Sequence, residues 1–454
     1  MGNQKKQCMP RISSFIIVLV ILAGSLHAQQ GSTYTFDVDH RSRLVYWDEG
    51  LFPSNGWEAL FSRHRTTLGG TWMPLTELEV RAALTNEFFS WYRHRDKPDF
   101  TLNEVFFDNL YVKWKPGTLP LTLTVGRQNM IFGEGFVMLD GGPLDGSRSI
   151  YFNAARLDLR PSEGHNITVF GLHQPRQDDL LPLIGDADRA FLEVPTDGTG
   201  VYYTGNVAHA QQLDAYYIYT YEDCQDAALN VYMDNAQRHT TGVRYSASLH
   251  EGWRMTGEGN VQWGTLHFVP DGGEKAIRGW SWYAYCTWTP ASAPREIESS
   301  YASRGIPPLS VDLGMYQYSG GSTHNDGVLA SQSYDPQFAR WPKWSESFIY
   351  TLVSLRGSVA QWSNLIAPFV RVQYALSEFV TLRAMLQHLR DAHRVDSGSK
   401  DIGTLAILEA KVHAGRGLTG HMLVERMWLT PNGRTILADS YLWGRLELRY
   451  RLRM

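Results

Sequence analysis

The sequence predicts an all-β protein, a transmembrane antiparallel up-and-down β-barrel of about 18 strands, with a range of about 16 to 20. Three observations carry this expectation. The last fourteen residues, 441–454, alternate strictly: Leu442, Gly444, Leu446, Leu448, Tyr450, Leu452 and Met454 share one face, and Trp443, Arg445, Glu447, Arg449, Arg451 and Arg453 the other. The apolar parity runs to the chain terminus, as expected of a strand with lipid on one side and a polar interior on the other, paired with the first strand so that no backbone edge is left in hydrocarbon. Alternating segments of about ten residues recur from end to end, separated by turn residues, with no helical periodicity between them. Composition agrees, because aromatic residues make up 13% and charged residues only 19% of the 454, and membrane barrels place aromatic rings in girdles at both interfaces.

Taken in order, the chain opens with Lys5, Lys6 and Arg11 ahead of an apolar run at 15–23 and a small-residue stretch ending at Ala28. This is the pattern of a cleaved secretory leader, 1–28, leaving 29–454 as a single barrel domain bound for the cell outer membrane. The apolar run is shorter than the roughly 20 residues a spanning helix needs, and no later run approaches that length, which excludes a helical inner-membrane protein. Removing the leader takes the formal net charge from −4 to −7, a balance that does not favour nucleic acid. Cys8 leaves with the leader. Cys224 and Cys286 remain, with no metal-type spacing around them.

Within the mature chain, Leu78, Val80, Ala82 and Leu84 oppose Glu77, Glu79, Arg81 and Thr85. Trp253, Met255, Val261 and Trp263 oppose Arg254, Thr256, Glu258, Asn260 and Gln262, with Gly257 and Gly259 on the apolar side. Leu309, Val311, Leu313 and Met315 oppose Ser310, Asp312 and Gly314. Ile366, Pro368, Val370, Val372 and Tyr374 oppose Arg371, Gln373 and Ala375, and Val380, Leu382, Ala384 and Leu386 oppose Thr381, Arg383, Met385 and Gln387. Residues 58–68, 348–355 and 418–428 alternate poorly. Short turns are expected at Met73-Pro74, 116–118, 161–164, Ser377-Glu378 and 415–417, and long loops at 129–149, 174–202 and 319–347. Short turns at one end and long loops at the other is the build of an outer-membrane barrel.

Residues 119–160 form the most distinctive stretch. A strand ends in Gly126-Arg127-Gln128, a loop follows with Gly133, Gly135, Gly141, Gly142 and Gly146, and then come Arg148, Tyr151-Phe152-Asn153-Ala154-Ala155 and Arg156-Leu157. In this stretch the chain resembles the alginate export family of outer-membrane barrels. A second resemblance to that family lies at 316–321, 334–344 and 362–365. The resemblance implies an 18-stranded barrel whose lumen passes an anionic polysaccharide or another small or anionic solute. The chain departs from it in its net acidity and in Glu77, Glu79, Glu258, Glu409 and Glu447 at lumen parity.

Parity by itself puts Arg81, Arg156, Arg244, Arg371, Arg383, Arg445 and Arg449 on the polar face. Guanidinium groups in a water-filled pore favour anions and pair bidentately with carboxylates; equally, these side chains can pair with lumen glutamates and stiffen the wall. Arg127 and Arg148 join them as candidate anion-binding residues. Alternation from Leu121, Leu123 and Val125 points Arg127 at lipid, whereas a bulge at Gly126 would turn it inward. No convergent nucleophile, base and orienting group is recognisable, no metal-type spacing is present, and no cofactor is implied. The expected activity is passive passage of an anionic solute, with outer-membrane lipid and the barrel assembly machinery as partners. A plugged structural or adhesive barrel, and an outer-membrane enzyme acting on lipid or glycan, are the competing readings.

Overall fold

The computed structural model describes residues 32–50, 57–93, 100–139, 151–178, 180–185, 195–223, 233–268, 273–290, 309–320, 332–339, 344–347, 363–393, 399–431 and 440–454. The leader with Cys8, Arg148, Cys224, the stretch 348–355, and parts of both family-like motifs (140–150, 340–343 and Trp362) lie outside the described residues. Cys286 is a free thiol.

The strands are β1 (Thr33–Gly50), β2 (Trp57–Leu75), β3 (Leu78–Arg93), β4 (Phe100–Trp114), β5 (Leu121–Gln128), β6 (Phe152–Ser162), β7 (His165–Gln174), β8 (Ile184–Gly185), β9 (Thr196–Ala208) and β10 (Gln211–Asp223). They continue with β11 (Met233–His250), β12 (Trp253–Phe268), β13 (Gly273–Trp288), β14 (Leu309–Tyr318), β15 (Leu365–Ala375), β16 (Val380–Asp391), β17 (Asp401–Gly415), β18 (Leu418–Leu429) and β19 (Leu442–Arg453). β8 is a two-residue strand that pairs with β4 alone, and β7 pairs directly with β9. The remaining eighteen strands form one antiparallel wall, in which each pairs with its neighbours in sequence and β19 pairs with β1 from Asp37↔Arg453 to Asp48↔Leu442. The barrel is therefore closed. Its seam continues to the end of the chain, where Phe36 N donates to Met454 O at 3.0 Å and Met454 N to Phe36 O at 2.8 Å.

The expected alternation is present, and it runs opposite to that of a soluble protein. Leu446, Leu448, Tyr450, Leu452 and Met454 point outward and are exposed, whereas Trp443, Arg445 and Glu447 point inward and are buried. The same holds on β12, where Met255 and Val261 face out and Thr256, Glu258, Asn260 and Gln262 face in. Trp253 and Trp263 stand ten residues apart on that outward face, which on a tilted strand is about 25 Å of height, the span of an apolar band between two aromatic girdles. Even the poorly alternating stretches at 58–68 and 418–428 are wall, within β2 and β18.

The turns at 75–78, 114–121, 162–165, 375–380 and 415–418 lie at the end that holds both termini, and the loops at 128–152, 174–196 and 318–365 at the other. At the 415–418 turn the backbone runs left-handed through Gly415, Arg416 and Gly417, and a Cβ at Gly417 would sit 1.9 Å from the Arg451 carbonyl, so only glycine fits. Two apolar clusters occupy the interior. One joins Met130, Phe132, Val137 and Met138 to Phe152, Phe170, Tyr202, Tyr216 and Ile218; the other joins Phe136, Tyr334 and Trp344 to Tyr283, Tyr316, Tyr318 and Phe369. The described stretches 130–138, 334–338 and Trp344 of two long loops are thus folded into the lumen.

Closure sets the first testable expectation. Deleting β19 by ending the chain at Tyr441 leaves two strand edges in hydrocarbon, each unpaired backbone group costing on the order of several kcal/mol. The full chain should migrate differently on gels before and after boiling in detergent, and the truncated chain should show only the unfolded mobility. A boil-sensitive shift in the truncated chain would refute closure as the basis of assembly.

Candidate functional site

The lumen is formed by the inward parity of the wall and narrowed by described loop stretches at 129–139, 332–339 and 344–347. Phe132 stacks on Tyr202 with ring centroids 4.5 Å apart, Phe136 meets Tyr283 edge-on at 4.9 Å, and Phe338 meets Phe152 edge-on at 5.9 Å. The two loops touch each other where Met138 and Phe338 form a parallel bridge and Leu139 N donates to Phe338 O at 3.1 Å. Gly133 and Gly135 make the reversal that sends the first loop back on itself. Both have positive φ, and a Cβ at Gly133 would press on Arg244 and Tyr202 at 3.0 Å.

Polar contacts between loop and wall repeat one design, an acidic loop residue held by a wall arginine. Glu134 accepts from the Tyr285 hydroxyl at 2.6 Å and from Arg244 Nη2 at 3.4 Å, while Arg244 Nη1 also reaches Asp214 at 3.2 Å. Asp335 lies 3.3 Å from Arg238 Nη1, and its backbone N and O both bond the Gln262 amide, at 2.9 and 2.8 Å. Glu346 accepts from Arg383 Nη2 at 2.7 Å and lies 3.8 Å from Arg445 Nη2. Burial works to raise the Glu346 carboxyl, but the Arg383 and Arg445 charges outweigh it and hold the group below its ordinary pKa. That contact is therefore fully present above the ordinary carboxylate range and is lost as pH falls through the lowered value. Next to it the arrangement inverts, because the wall carboxylate of Glu425, fully buried, receives Glu346 N at 2.6 Å, Ser345 Oγ at 2.8 Å, Tyr441 Oη at 2.7 Å and the Ser347 hydroxyl.

Arg127 belongs to the same design, a correction to its reading as an anion-binding lumen residue. Gly126 at φ 125 breaks the alternation while the ladder stays in register, so that Val125 remains outward and Arg127 turns in. Its guanidinium forks onto Asp178 of the 174–185 loop (Nη1 to Oδ2 3.0 Å, Nη2 to Oδ1 2.7 Å), donates to Asn153 and to the Phe107 carbonyl, and lies 3.7 Å over the Tyr151 ring. With 1% of the Arg127 side chain and none of Asp178 exposed, the pair is an anchor that no solute touches. Arg244, 9% exposed, is likewise occupied in holding its loop.

Arg445 is buried; the other arginines read from parity lie toward the short-turn end and stay partly open. Arg81 forks onto Asp37 at 2.8 and 3.0 Å, Arg156 bonds Asp158 at 2.9 Å, Arg371 bonds its register partner Asp312 at 2.6 Å, and Arg383 adds its register partner Glu409 at 2.8 Å. Arg449 pairs with Asp39. These five side chains are between 18% and 33% exposed. Arg383, held by Glu346 and Glu409 together, is committed to its loop, whereas guanidiniums held by a carboxylate on one edge and open on another can meet an anion in transit. Among the described residues no group of three or more His, Cys, Asp or Glu is placed to hold a metal.

Among the inward arginines that escaped the parity reading are Arg238 on β11, which holds Asp335, and a group of four, Arg41 and Arg43 on β1, facing Arg65 and Arg63 across β2. Arg43 pairs with Glu447, Arg65 with Asp108 at 3.0 Å and Glu87 at 3.6 Å, and Arg63 lies over the Phe89 ring at 4.7 Å. The signal was available as Arg-x-Arg twice at strand spacing. It was obscured because the outward parity of β2 is polar as well, carrying Ser62, His64 and Thr66.

No family model and no curated protein matches the chain. Solved structures do. OccAB1 of Acinetobacter baumannii aligns at 10% identity with a TM-score of 0.58, covering 93% of this chain and 97% of that one. The outer membrane protein OpdK of Pseudomonas aeruginosa aligns at 11% and 0.55 over 93% and 99%, and a structure of OpdK with vanillate at 12% and 0.54 over 93% and 99%. At these identities the likeness establishes the fold, a closed 18-stranded antiparallel barrel of the outer-membrane porin type.

The two kinds of arginine should separate on substitution. Arg127→Ala leaves the Asp178 carboxylate buried without its charge partner and should destabilise the folded barrel by about 3–5 kcal/mol. Arg156→Ala removes a partly solvated pair and should cost less than about 1 kcal/mol. Urea unfolding in lipid vesicles measures both, and equal, small losses would show that Arg127 is no anchor.

Proposed function

We propose that the protein is an outer-membrane channel through which a small anionic solute passes down its gradient. The observation that supports this reading is the set of half-open guanidiniums, Arg81, Arg156, Arg371 and Arg449, below a constriction made by two loops tied to the wall. A permeating carboxylate can replace one edge of a partly solvated ion pair at little cost, since such pairs contribute no more than about 1 kcal/mol, and bidentate geometry suits a planar carboxylate. Vanillate, the small aromatic carboxylate present in one of the similar structures, has this chemistry. The loops favour a small solute over a polysaccharide of the alginate type, because the described parts of both cross into the lumen and are bonded there. The resemblance to the alginate exporters contributes the anionic character of the solute to this reading.

The inward loops also favour a second reading, a plugged structural or adhesive barrel. A steady single-channel current separates the two, since a plugged barrel, like an enzyme acting on lipid or glycan, carries none.

Selectivity is tested by the reversal potential across a salt gradient. The wild type should prefer anions. Replacing Arg81, Arg156 and Arg371 together by alanine should move the potential toward cation preference, because Asp37, Asp158 and Asp312 then lose their partners, and replacing those three aspartates by asparagine should move it the other way. Screening at a Debye length of about 8–10 Å leaves charges on the pore lining effective at this range. No change in either variant, with the barrel still folded, would remove the support for anion passage.

A further inference from the structure

Residues 344–347 are held on the inner wall of β16 to β19 by two separate sets of contacts. The Glu346 carboxylate, 15% exposed, lies between two guanidiniums, 2.7 Å from Arg383 Nη2 and 3.8 Å from Arg445 Nη2. Glu425, buried in the wall, accepts from Glu346 N at 2.6 Å, from Ser345 Oγ at 2.8 Å and from the Ser347 hydroxyl. The wall thus binds a carboxylate at one point and a group of N–H and O–H donors at another. In Glu346 the carboxyl carbon and the donating nitrogen are joined through Cγ, Cβ and Cα.

Both halves of this site are assembled by the wall without the loop. Arg383 has Glu409 at 2.8 Å on the neighbouring strand, Arg445 donates to His421 Nε2 at 2.7 Å and lies 5.2 Å from the Trp443 ring centroid, and Glu425 accepts from the Tyr441 hydroxyl at 2.7 Å. Glu346 therefore occupies a preformed place for an anion, and it does so as a tethered competitor, with an effective concentration on the order of millimolar. A carboxylate from solution meets the same two guanidiniums. If it carried no donors, it would leave the buried Glu425 short of hydrogen bonds, which is costly. A carboxylate that also carries hydroxyl groups returns them.

Building on the channel reading of the lumen, we propose that 344–347 is an autoinhibitory strap, and that a small hydroxy carboxylate opens the passage by taking the place of the Glu346 carboxylate and of the donors to Glu425.

The test is single-channel recording from the full protein in a planar bilayer in sodium chloride, with gluconate or hexanoate added. Gluconate has a hydroxyl joined to its carboxyl carbon through C2, C3 and C4, and hexanoate has the same chain length and no hydroxyl. Gluconate should shift the wild type from a lower to a higher conducting state, half complete on the order of millimolar solute. Hexanoate should need at least about tenfold more, the factor that one hydrogen bond to a charged group is worth. Glu346→Ala should hold the higher state with no solute added. Ser345→Ala with Ser347→Ala, which leaves every charge in place, should move half-opening to a lower gluconate concentration. The boil-sensitive mobility shift reports that each barrel is closed. A steady wild-type current that ignores gluconate, a Glu346→Ala channel with the wild-type conductance, or a serine variant with the wild-type gluconate dependence would overturn the strap and leave the channel reading standing. Equal responses to gluconate and hexanoate would overturn the hydroxyl requirement. Absence of current from the wild type and both variants, with and without gluconate, would overturn both readings.

Discussion

Backbone hydrogen-bonding groups in hydrocarbon must be paired within the protein, and the rest of this structure depends on that constraint. It requires β19 to find β1 across the whole length of the chain, and it fixes which parity faces out, because a shift of one residue would turn the inward arginines of a strand into lipid. Eighteen strands enclose more space than the wall side chains can fill. The space left over is what gives the loops a role, since the described stretches that fold inward fill part of the lumen with Phe132, Phe136, Tyr334 and Phe338.

Charge inside the barrel is arranged by the same geometry. Antiparallel register sets Arg371 opposite Asp312, Arg383 opposite Glu409, Arg43 opposite Glu447 and Arg65 opposite Glu87, so the wall largely neutralises itself. Burial then divides the arginines by function. Where a pair is sealed, as with Arg127 and Asp178, removing one partner costs several kcal/mol and the pair is structural. Where water reaches the guanidinium, as at Arg156, the pair is weak enough to exchange partners with an anion, as the proposed function requires. Planar guanidinium suits both tasks, since it keeps its charge when buried and presents more than one edge for bonding.

With lipid as the outer solvent, exposed leucines on the wall are the favourable state and exposed hydroxyls the anomaly. The sector from β1 to β3 is doubly unusual, because arginines crowd its inner face and a histidine–serine chain crosses its outer face. A strand polar on both parities has no alternation to hold its register, and here Arg63 and Arg65 on one side and Ser62, His64 and Thr66 on the other all depend on neighbouring strands for partners.

The sequence by itself determined the barrel, the range that includes its eighteen strands, the end that carries the short turns and the inward face of Arg81, Arg156, Arg244, Arg371 and Arg383. Those features follow from a period of two and from turn chemistry, both local properties of the chain. Tertiary structure alone decided what those arginines do. Glu134, Asp335 and Glu346 reach their arginines through loops whose path depends on a closed barrel, and Glu134 and Arg244 are 110 residues apart in sequence. Arg127 shows the limit most directly. Simple alternation aimed it at lipid, and one glycine at positive φ turned it into a buried anchor of the wall. That outcome rests on a single backbone angle and on Asp178 arriving from another loop, and neither leaves a periodic trace in the sequence.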